Sequence, residues 1–330
     1  MSQTIEGRIL QGVGGLYSVR VTSAESVSDA SLIGTAVSCR ARGSFRHNNI
    51  SPLAGDKVII SPTREESNQK SNSKKEYKDS DYVIEEILPR KNALIRPPLA
   101  NLDFLFITLA AAAPQPILST VDKLISIAEF NDIEPIIVIT KCELDRTYAE
   151  ELKRIYEKSG FRVFCLSAVE NISIEPIDEF IRENLTNKLA AFAGASGIGK
   201  STLLNRLFPT LSLSTSDISH KIQRGKHTTR KVELFPLPSQ DSPELCGYVA
   251  DTPGFSMLDF ERFDFFEKDD LVYTMREFKP YIGLCKYTKC SHTKEDGCAI
   301  ISALKNGEIE KSRHQSFCEL YDVLKTKTKW

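Results

Sequence analysis

The chain has 330 residues, with 43 basic and 44 acidic side chains and a formal net charge of −1. This length favours two or three domains at roughly 100–200 residues each, and a hydrophobic content of 41% is ordinary for a globular protein. No apolar run approaches the ~20 residues of a membrane-spanning helix, and the N-terminus lacks a signal-peptide pattern. We therefore expect neither secretion nor membrane insertion.

Residues 1–93 contain short strand-like segments separated by glycine and proline turns. Five short strands without a convincing helix are typical of a small β-barrel of the oligonucleotide-binding (OB-fold) type. The candidates are Ile5–Leu10, Leu16–Val21, Gly34–Arg40, Asp56–Ser61 and Tyr82–Leu88. Between the last two, Arg64–Ser80 is rich in Lys, Glu, Ser and Asn, which predicts a disordered excursion.

One turn of this predicted barrel combines basic side chains with an aromatic ring. Such a mixture suits neutralisation of a nucleic-acid backbone together with stacking on a base. A solvated loop is the alternative, and this segment alone does not decide between them. The candidate RNA-binding residues are Arg40, Arg42, Phe45 and Arg46, followed by His47.

From about residue 94 the pattern changes to alternating strands and helices, which is typical of a doubly wound α/β domain. Ile136–Ile139 is a β-branched run that suits a buried parallel strand, and Tyr148–Ser159 predicts a helix that ends before Gly160. Val121, Leu124, Ile125 and Ala128 have the spacing of one apolar helix face. Further predicted strands are Phe104–Leu109, Phe161–Leu166, Leu189–Ala193 and Tyr248–Ala250.

The segment that follows Leu189–Ala193 matches the phosphate-loop pattern G-x-x-x-x-G-K-[ST] between a strand and a helix. Glycines let backbone N–H groups converge on phosphates, and the helix N-terminus adds partial positive charge. We expect Lys200 to reach the β- and γ-phosphates and the Ser201 hydroxyl to bind Mg²⁺. The loop comprises Gly194, Ala195, Ser196, Gly197, Ile198, Gly199, Lys200 and Ser201, with Thr202 next in the helix.

Two further segments predict the switches of a GTPase. Asp251-Thr252-Pro253-Gly254 follows a strand, where Asp251 can hold Mg²⁺ through water and Gly254 lets the backbone approach the γ-phosphate. Gly225–Arg230 contains Thr228 and Thr229, either of which could complete the Mg²⁺ shell; we expect Thr229 to do so.

The elements that recognise a base come before the phosphate loop instead of after it. Thr140-Lys141-Cys142-Glu143 resembles the N-K-x-D motif that reads guanine, and Ser167-Ala168 resembles the loop that backs the base. This order of motifs predicts a circularly permuted GTPase domain. The permutation is physically tolerable because domain termini often lie close together at the surface.

A metal cluster is predicted near the C-terminus by the spacing C-x4-C-x-H-x5-C. Cys285, Cys290, His292 and Cys298 supply three thiolates and one imidazole, a set suited to one structural, tetrahedral Zn²⁺. The remaining cysteines are scattered, which favours a reducing compartment over a disulfide framework. Around the cluster, a second RNA contact is suggested by Lys286, Lys289 and Lys294, with Arg313 and His314.

Together these features resemble the RsgA (YjeQ) family of GTPases that depend on the small ribosomal subunit. The resemblance extends over the barrel, the segment Arg90–Pro98, the permuted motifs, G-K-H-T-T and the cysteine spacing. It implies a cytoplasmic GTPase that acts late in maturation of the small (30S) ribosomal subunit. The GTP-bound form would dock on the subunit and its rRNA, and hydrolysis stimulated by the subunit would release it.

Two departures bear on nucleotide recognition and catalysis. Thr140 and Glu143 replace the asparagine and aspartate of N-K-x-D, so guanine is expected but adenine is the alternative. Phe255 stands where Ras-like enzymes carry a water-orienting glutamine, which predicts slow intrinsic turnover. His227 is the candidate catalytic residue because it could reach the attacking water, and a structural or RNA-contacting role is its alternative.

The sequence thus predicts three parts: an OB-fold barrel at 1–93, a permuted GTPase domain at 94–261, and a mainly helical zinc-binding domain at 262–330 with a C-terminal helix at Ser312–Leu324. We expect a monomer that binds GTP with Mg²⁺ and one Zn²⁺. Two other functions are weighed against this one: an RNA-binding assembly factor that does not hydrolyse its nucleotide, and a P-loop ATPase or kinase.

Overall fold

The computed structural model describes residues 4–26, 29–47, 50–63, 81–209, 232–238, 245–251 and 266–326. Contacts divide the chain into two compact units, residues 1–101 with 229–235 and residues 102–228 with 236–330. The cysteine-rich C-terminal segment therefore belongs to the same unit as the phosphate loop. The division into domains at residues 93 and 261 stays a prediction.

The N-terminal unit contains a closed five-stranded barrel, in the order β1-β2-β3-β5-β4, with β1 also paired to β4. Inward-pointing Ile, Val and Cys side chains such as Ile9, Val19 and Ile84 form its core. The predicted OB-type barrel is confirmed, with the addition of a short helix α1 (Gly43–His47) after β3. The strands are β1 (Ile5–Val13), β2 (Leu16–Ala24), β3 (Ala36–Ala41), β4 (Lys57–Pro62) and β5 (Tyr82–Ile87), followed by a small hairpin of β6 (Ala93–Leu94) and β7 (Leu99–Ala100).

A six-stranded sheet forms the centre of the second unit, in the order β10-β9-β8-β11-β13-β12. The pairs from β10 to β13 are parallel. Every residue of the central strand β8 is buried, as expected for a parallel strand covered on both faces. The strands are β8 (Phe104–Ala110), β9 (Glu134–Thr140), β10 (Arg162–Cys165), β11 (Leu189–Ala193), β12 (Glu233–Pro238) and β13 (Leu245–Asp251).

Four helices accompany these strands: α2 (Leu118–Phe130), α3 (Arg146–Lys158), α4 (Glu175–Asn184) and α5 (Lys200–Leu207). α4 and α5 pack on the sheet face that carries Phe106 and Phe192, whose rings stack at 4.6 Å. Phe180 of α4 meets the Phe106 ring edge-on at 6.2 Å. Sequence analysis anticipated α2, α3 and α5 but assigned neither α4 nor β12. None of the helices in the described ranges has the length and apolar composition of a membrane span.

The C-terminal segment consists of two 3-10 helices (Leu271–Thr274 and Arg276–Tyr281) followed by α6 (Ala299–Lys305) and α7 (Lys311–Thr326). α7 packs against α2 through a buried ion pair between Arg313 and Asp122. Glu277 also binds this guanidinium, with Arg313 Nε donating to Glu277 Oε1 at 2.6 Å.

The suggested RNA contact through Arg313 and His314 is wrong, because neither side chain is available at the surface. Arg313 is fully buried and His314 is 8% exposed. His314 Nε2 instead lies 2.9 Å from the carbonyl oxygen of His292. The lysines suggested for the same contact, Lys286, Lys289 and Lys294, are exposed.

Candidate nucleotide site and metal cluster

The predicted nucleotide-binding motifs meet at the edge of the sheet where its parallel strands end. Thr140 closes β9, Ser167 follows β10, Gly194 follows β11, and Asp251 is the last residue of β13. Ligands of open α/β sheets bind at the carboxyl ends of the strands. The strand order therefore collects motifs that are far apart in the chain.

The phosphate loop depends on glycine at positions where another residue would be strained or would clash. Gly194, Gly197 and Gly199 have φ of +148°, +79° and +91°, in the region that disfavours side chains. A Cβ at Gly194 would lie 2.4 Å from the carbonyl oxygen of Thr108. Lys200 Nζ donates to the Gly194 carbonyl at 3.3 Å, so this cation already lies over the loop.

The rest of the phosphate loop leads into α5, which is anchored by buried Leu203 and Leu207. Ser201 and Thr202 lie in the first turn of this helix, where unpaired backbone N–H groups favour an anion. Ala195 and Ser196 are exposed, whereas Ile198 is buried.

The base motif braces the phosphate loop through its first two residues. The buried Thr140 hydroxyl lies 2.5 Å from the carbonyl oxygen of Ile198, and Lys141 Nζ donates to the carbonyl of Gly197 at 2.8 Å. Lys141 Nζ also donates to the carbonyl of Ala113 at 2.6 Å. Thr140 and Lys141 therefore hold the end of β9 against the backbone of the phosphate loop.

Glu143 has one carboxylate oxygen that is buried and has no hydrogen-bond partner among the described residues. A buried acceptor without a donor is unfavourable, and guanine offers two N–H groups on one edge. The nearby Asp145 has a different role, because its carboxylate caps α3 by accepting from the Tyr148 N–H at 2.9 Å. Glu143 therefore has a carboxylate oxygen available to accept a hydrogen bond, whereas the carboxylate of Asp145 is used in the helix cap.

The Ser167–Ala168 segment forms a tight loop closed by two backbone hydrogen bonds of 3.0 Å between Ser167 and Ile172. The Ser167 hydroxyl accepts from the Glu170 N–H at 3.1 Å, and Asn171 accepts from Arg206 of α5 at 2.8 Å. The last contact joins this loop to the helix after the phosphate loop. Sequence analysis did not single out Asn171 or Arg206, and no local pattern marks a pair 35 residues apart.

Several predicted site residues fall outside the described part of the chain. They are His227, Thr229, Gly254 and Phe255, together with Thr228, the side chain of Asp251 and the excursion Arg64–Ser80.

The four predicted metal ligands converge, with their donor atoms all within 4.8 Å of one another. Cys285 Sγ lies 3.5 Å from His292 Nδ1 and 3.8 Å from Cys298 Sγ, and Cys298 Sγ lies 3.6 Å from His292 Nδ1. Ligands about 2.3 Å (sulfur) and 2.0 Å (nitrogen) from a tetrahedral Zn²⁺ would be separated by about 3.5–3.8 Å. The cluster therefore fits one zinc ion with no open position.

Glu295 organises the loop between the ligands Cys290 and Cys298. Its carboxylate accepts from the backbone N–H groups of Ser291 at 2.8 Å and Lys294 at 3.2 Å, and from the Ser291 hydroxyl. Burial alone would raise the pKa of Glu295, but these hydrogen bonds lower it to about 2. The sequence did not single out Glu295; its one local signal is its position beside Lys294 inside the ligand spacing.

The candidate RNA-binding residues lie on β3 and α1 of the barrel. The Arg42 side chain is 57% exposed and forms an ion pair of 2.5 Å with Glu85. Phe45 is half-buried and packs against the barrel core, so only part of its ring is available for stacking. Arg40 is half-buried on β3, and the side chain of Arg46 lies outside the described residues.

Both units contain residues that match known protein families. Residues 87–261 match the RsgA GTPase family, and residues 6–68 match the RsgA N-terminal domain. The chain belongs to the RsgA GTPase family. A relative from Ruminiclostridium cellulolyticum, named small ribosomal subunit biogenesis GTPase RsgA, is 38% identical over 97% of this chain and 93% of its own. A relative of the same name from Bacillus pumilus is 38% identical over 97% of both chains.

Solved structures of two similar proteins have the same architecture. YjeQ from Thermotoga maritima has a TM-score of 0.75 and 28% identity, covering 98% of this chain and 100% of its own. YloQ, described as a circularly permuted GTPase, has a TM-score of 0.70 and 31% identity, covering 99% and 97%. The predicted permutation of this RsgA-family protein is thereby confirmed, and the chain is a GTP hydrolase.

Proposed function

We propose that this protein hydrolyses GTP during late maturation of the small (30S) ribosomal subunit, as a monomer in the cytoplasm. The observation that supports the proposal is that the phosphate loop and the carboxylate of Glu143, which has a buried oxygen without a hydrogen-bond partner among the described residues, lie at the same edge of the sheet. Its full-length relatives are named for biogenesis of that subunit. The alternative of an ATPase or kinase lacks a comparable observation.

GTP would bind along this edge of the sheet, with one set of residues contacting its phosphates and another contacting its base. The backbone N–H groups of Gly194–Thr202 and the Lys200 ammonium would bind the phosphates. Glu143 would accept from guanine, with Thr140 and Lys141 holding the phosphate loop against the base motif. Ser167 and Ala168 would back the base, and Asp251 and Gly254 would approach the γ-phosphate.

Magnesium and the attacking water would be handled by residues around the γ-phosphate. Ser201 and Thr229 would hold Mg²⁺, which neutralises charge on the phosphate oxygens. His227 would orient the water as a general base, because Phe255 has no polar group for that purpose. We infer slow turnover by the isolated protein and stimulation by the ribosomal subunit.

The outer parts of the chain would bind the subunit. In the barrel, Arg40, Arg42 and Arg46 would neutralise rRNA phosphates, and the exposed part of Phe45 would contact a base. Cys285, Cys290, His292 and Cys298 would hold one Zn²⁺ that fixes the C-terminal loop. The GTP-bound form would dock, and hydrolysis would release it.

The test is phosphate release from GTP and from ATP, each with and without purified 30S subunits. We expect slow release from GTP alone, faster release with subunits, and little release from ATP. Lys200→Ala is the control: it removes a cation from the loop and should abolish nucleotide binding while the sheet stays folded. Equal use of ATP would overturn the assignment of Glu143, and no stimulation by subunits would overturn the ribosomal role.

A further inference from the structure

Two cysteines lie side by side where the base motif meets the neighbouring strand. Cys165 is the last residue of β10, and Cys142 comes two residues after the end of the adjacent parallel strand β9. The Cys142 N–H donates to the carbonyl of Leu166 at 3.4 Å, and the Leu166 N–H donates to that of Ile139 at 2.9 Å. Cys142 Sγ lies 3.2 Å from the carbonyl oxygen of Ile139, and Ile139 is the β9 residue that pairs with Cys165 in the register of the two strands. The Cys142 thiol therefore folds back toward Cys165.

The two thiols are chemically unequal because they interact with each other. The interaction between the two thiols lowers the pKa of Cys165 and raises the pKa of Cys142. Both side chains are half-buried, so a small reagent can reach them. Cys39 in the barrel core is a contrast, since burial raises its pKa to about 12 and leaves it without thiolate character.

We propose that Cys142 and Cys165 form a modification site, a dithiol that a low-molecular-weight disulfide such as oxidised glutathione closes to a protein disulfide. The Cys165 thiolate attacks one glutathione sulfur, forms a mixed disulfide and releases one glutathione thiolate, which takes up a proton. Cys142 then loses its proton, attacks the Cys165 sulfur and releases the second glutathione. Two protein thiols are oxidised, and one glutathione disulfide is reduced to two glutathiones.

The disulfide would act on nucleotide binding, an effect that rests on the proposed guanine site. Cys142 lies between Lys141, which braces the phosphate loop, and Glu143, which carries the orphaned oxygen. Cys165 leads directly into the Ser167 loop. A covalent bond between them fixes both base-contacting segments in one arrangement, so we expect GDP to bind about tenfold more weakly, and bound GDP to disfavour the disulfide by the same factor.

The first experiment maps the bond without reference to nucleotide. The purified, zinc-loaded protein is equilibrated anaerobically in glutathione redox buffers, blocked with N-ethylmaleimide and digested with trypsin without reduction. The expected product joins the peptides Cys142–Arg146 and Val163–Arg182, the tryptic fragments that carry the two thiols. It should be absent from Cys165→Ser and Cys142→Ser and retained in the control Cys318→Ser, which changes a half-buried cysteine of α7.

Zinc is measured in the same samples, because oxidation of the metal cluster would release it. Disulfides confined to Cys285, Cys290 and Cys298, or glutathione held on Cys165 with no link to Cys142, would overturn the proposal. The second experiment titrates GDP into the reduced and oxidised protein by calorimetry. Failure of the reduced protein to bind GDP would refute the proposed function and leave the mapped bond standing. Equal GDP affinity of both forms would refute the effect of the bond on the site.

Discussion

The nucleotide site and the metal cluster are both built from loops, but different forces hold them in shape. The phosphate loop lies on a sheet whose strands are buried, and Thr140 and Lys141 tie it to a second strand end. The cluster segment has little apolar support: Cys298 is its one buried ligand, and Leu284 and Tyr287 are 68% and 50% exposed. We therefore expect the phosphate loop to keep its shape without nucleotide, and the cluster segment to depend on its metal.

Removal of the metal should have the largest effect, because it should unfold the cluster segment and leave the nucleotide site intact. Structural zinc binding is worth about 10–16 kcal/mol in small zinc modules, so Cys290→Ser should lose the metal and unfold residues 282–298. Hydrogen exchange should rise there while β8 and β11 stay protected and GTP affinity is unchanged. The matched control is Cys318→Ser, which should retain one zinc per chain by metal analysis. Purified wild-type protein without zinc would contradict the prediction.

The next largest effect should come from the ion pair that joins α7 to α2. Arg313→Met leaves Asp122 buried without its cation, which should cost about 3–5 kcal/mol of unfolding free energy in a denaturant titration. Arg182→Met is the control, because that guanidinium pairs with Asp178 on the surface of α4 and is 51% exposed. It should cost less than about 0.5 kcal/mol. Equal losses in the two variants would show that the Arg313 pair contributes no more than a surface pair.

Substitution of Glu143 should weaken the binding of GTP and leave the fold unchanged. The lost hydrogen bonds are worth about 1.5–3 kcal/mol each, so Glu143→Ala should lower GTP affinity at least tenfold and erode discrimination against ATP. Asp145→Asn is the control: it removes a nearby carboxylate, asparagine can still cap α3, and GTP affinity should stay unchanged.

Glu143→Asp sharpens the same test. The shorter carboxylate should tighten GTP if the glutamate fits guanine imperfectly, and should weaken it if the loop has adapted to the longer side chain. Calorimetric titrations in which Glu143→Ala and wild type bind GTP alike and reject ATP alike would place Glu143 outside the site.

The smallest loss of unfolding free energy should come from removing the surface ion pairs that join α3 to Glu310, the residue before α7. Hydrogen bonding from Arg154 lowers the pKa of Glu310, which also pairs with Lys158 at 2.7 Å. A lowered carboxyl pKa means that this stabilisation is present at neutral pH and is lost as the pH falls through the folded-state value. Glu310→Gln should therefore cost about 0.2–1 kcal/mol at pH 7, measured by urea unfolding. A loss as large as that of Arg313→Met would contradict the ranking.

The phosphate loop and the metal cluster were both predictable from the sequence, for the same reason. The glycines of the phosphate loop and the spacing of the four metal ligands are local constraints, and local constraints are visible in the chain. The contact of Thr140 with Ile198 joins the end of β9 to the loop after β11, 58 positions apart in the chain and separated in the sheet by β8, so only recognition of the two motifs could anticipate it.

Arg313 shows where a local interpretation failed. It lies near exposed lysines, which suggested a basic surface. Yet Arg313, Phe317, Leu320 and Leu324 share the buried side of α7, and an arginine in register with an apolar helix face predicts a buried partner such as Asp122. Its position in the helix was the better guide than its neighbours in sequence.

Closure of the N-terminal barrel has a consequence for how it can be recognised. Because β4 pairs with both β1 and β5, every strand of the closed barrel has a hydrogen-bonded neighbour on each side over part of its length. Such a barrel has no complete edge strand among the described residues, which disfavours edge-to-edge aggregation and strand addition as modes of association. We therefore expect a partner of the barrel to contact its side chains and loop backbone rather than extend its hydrogen-bond ladder.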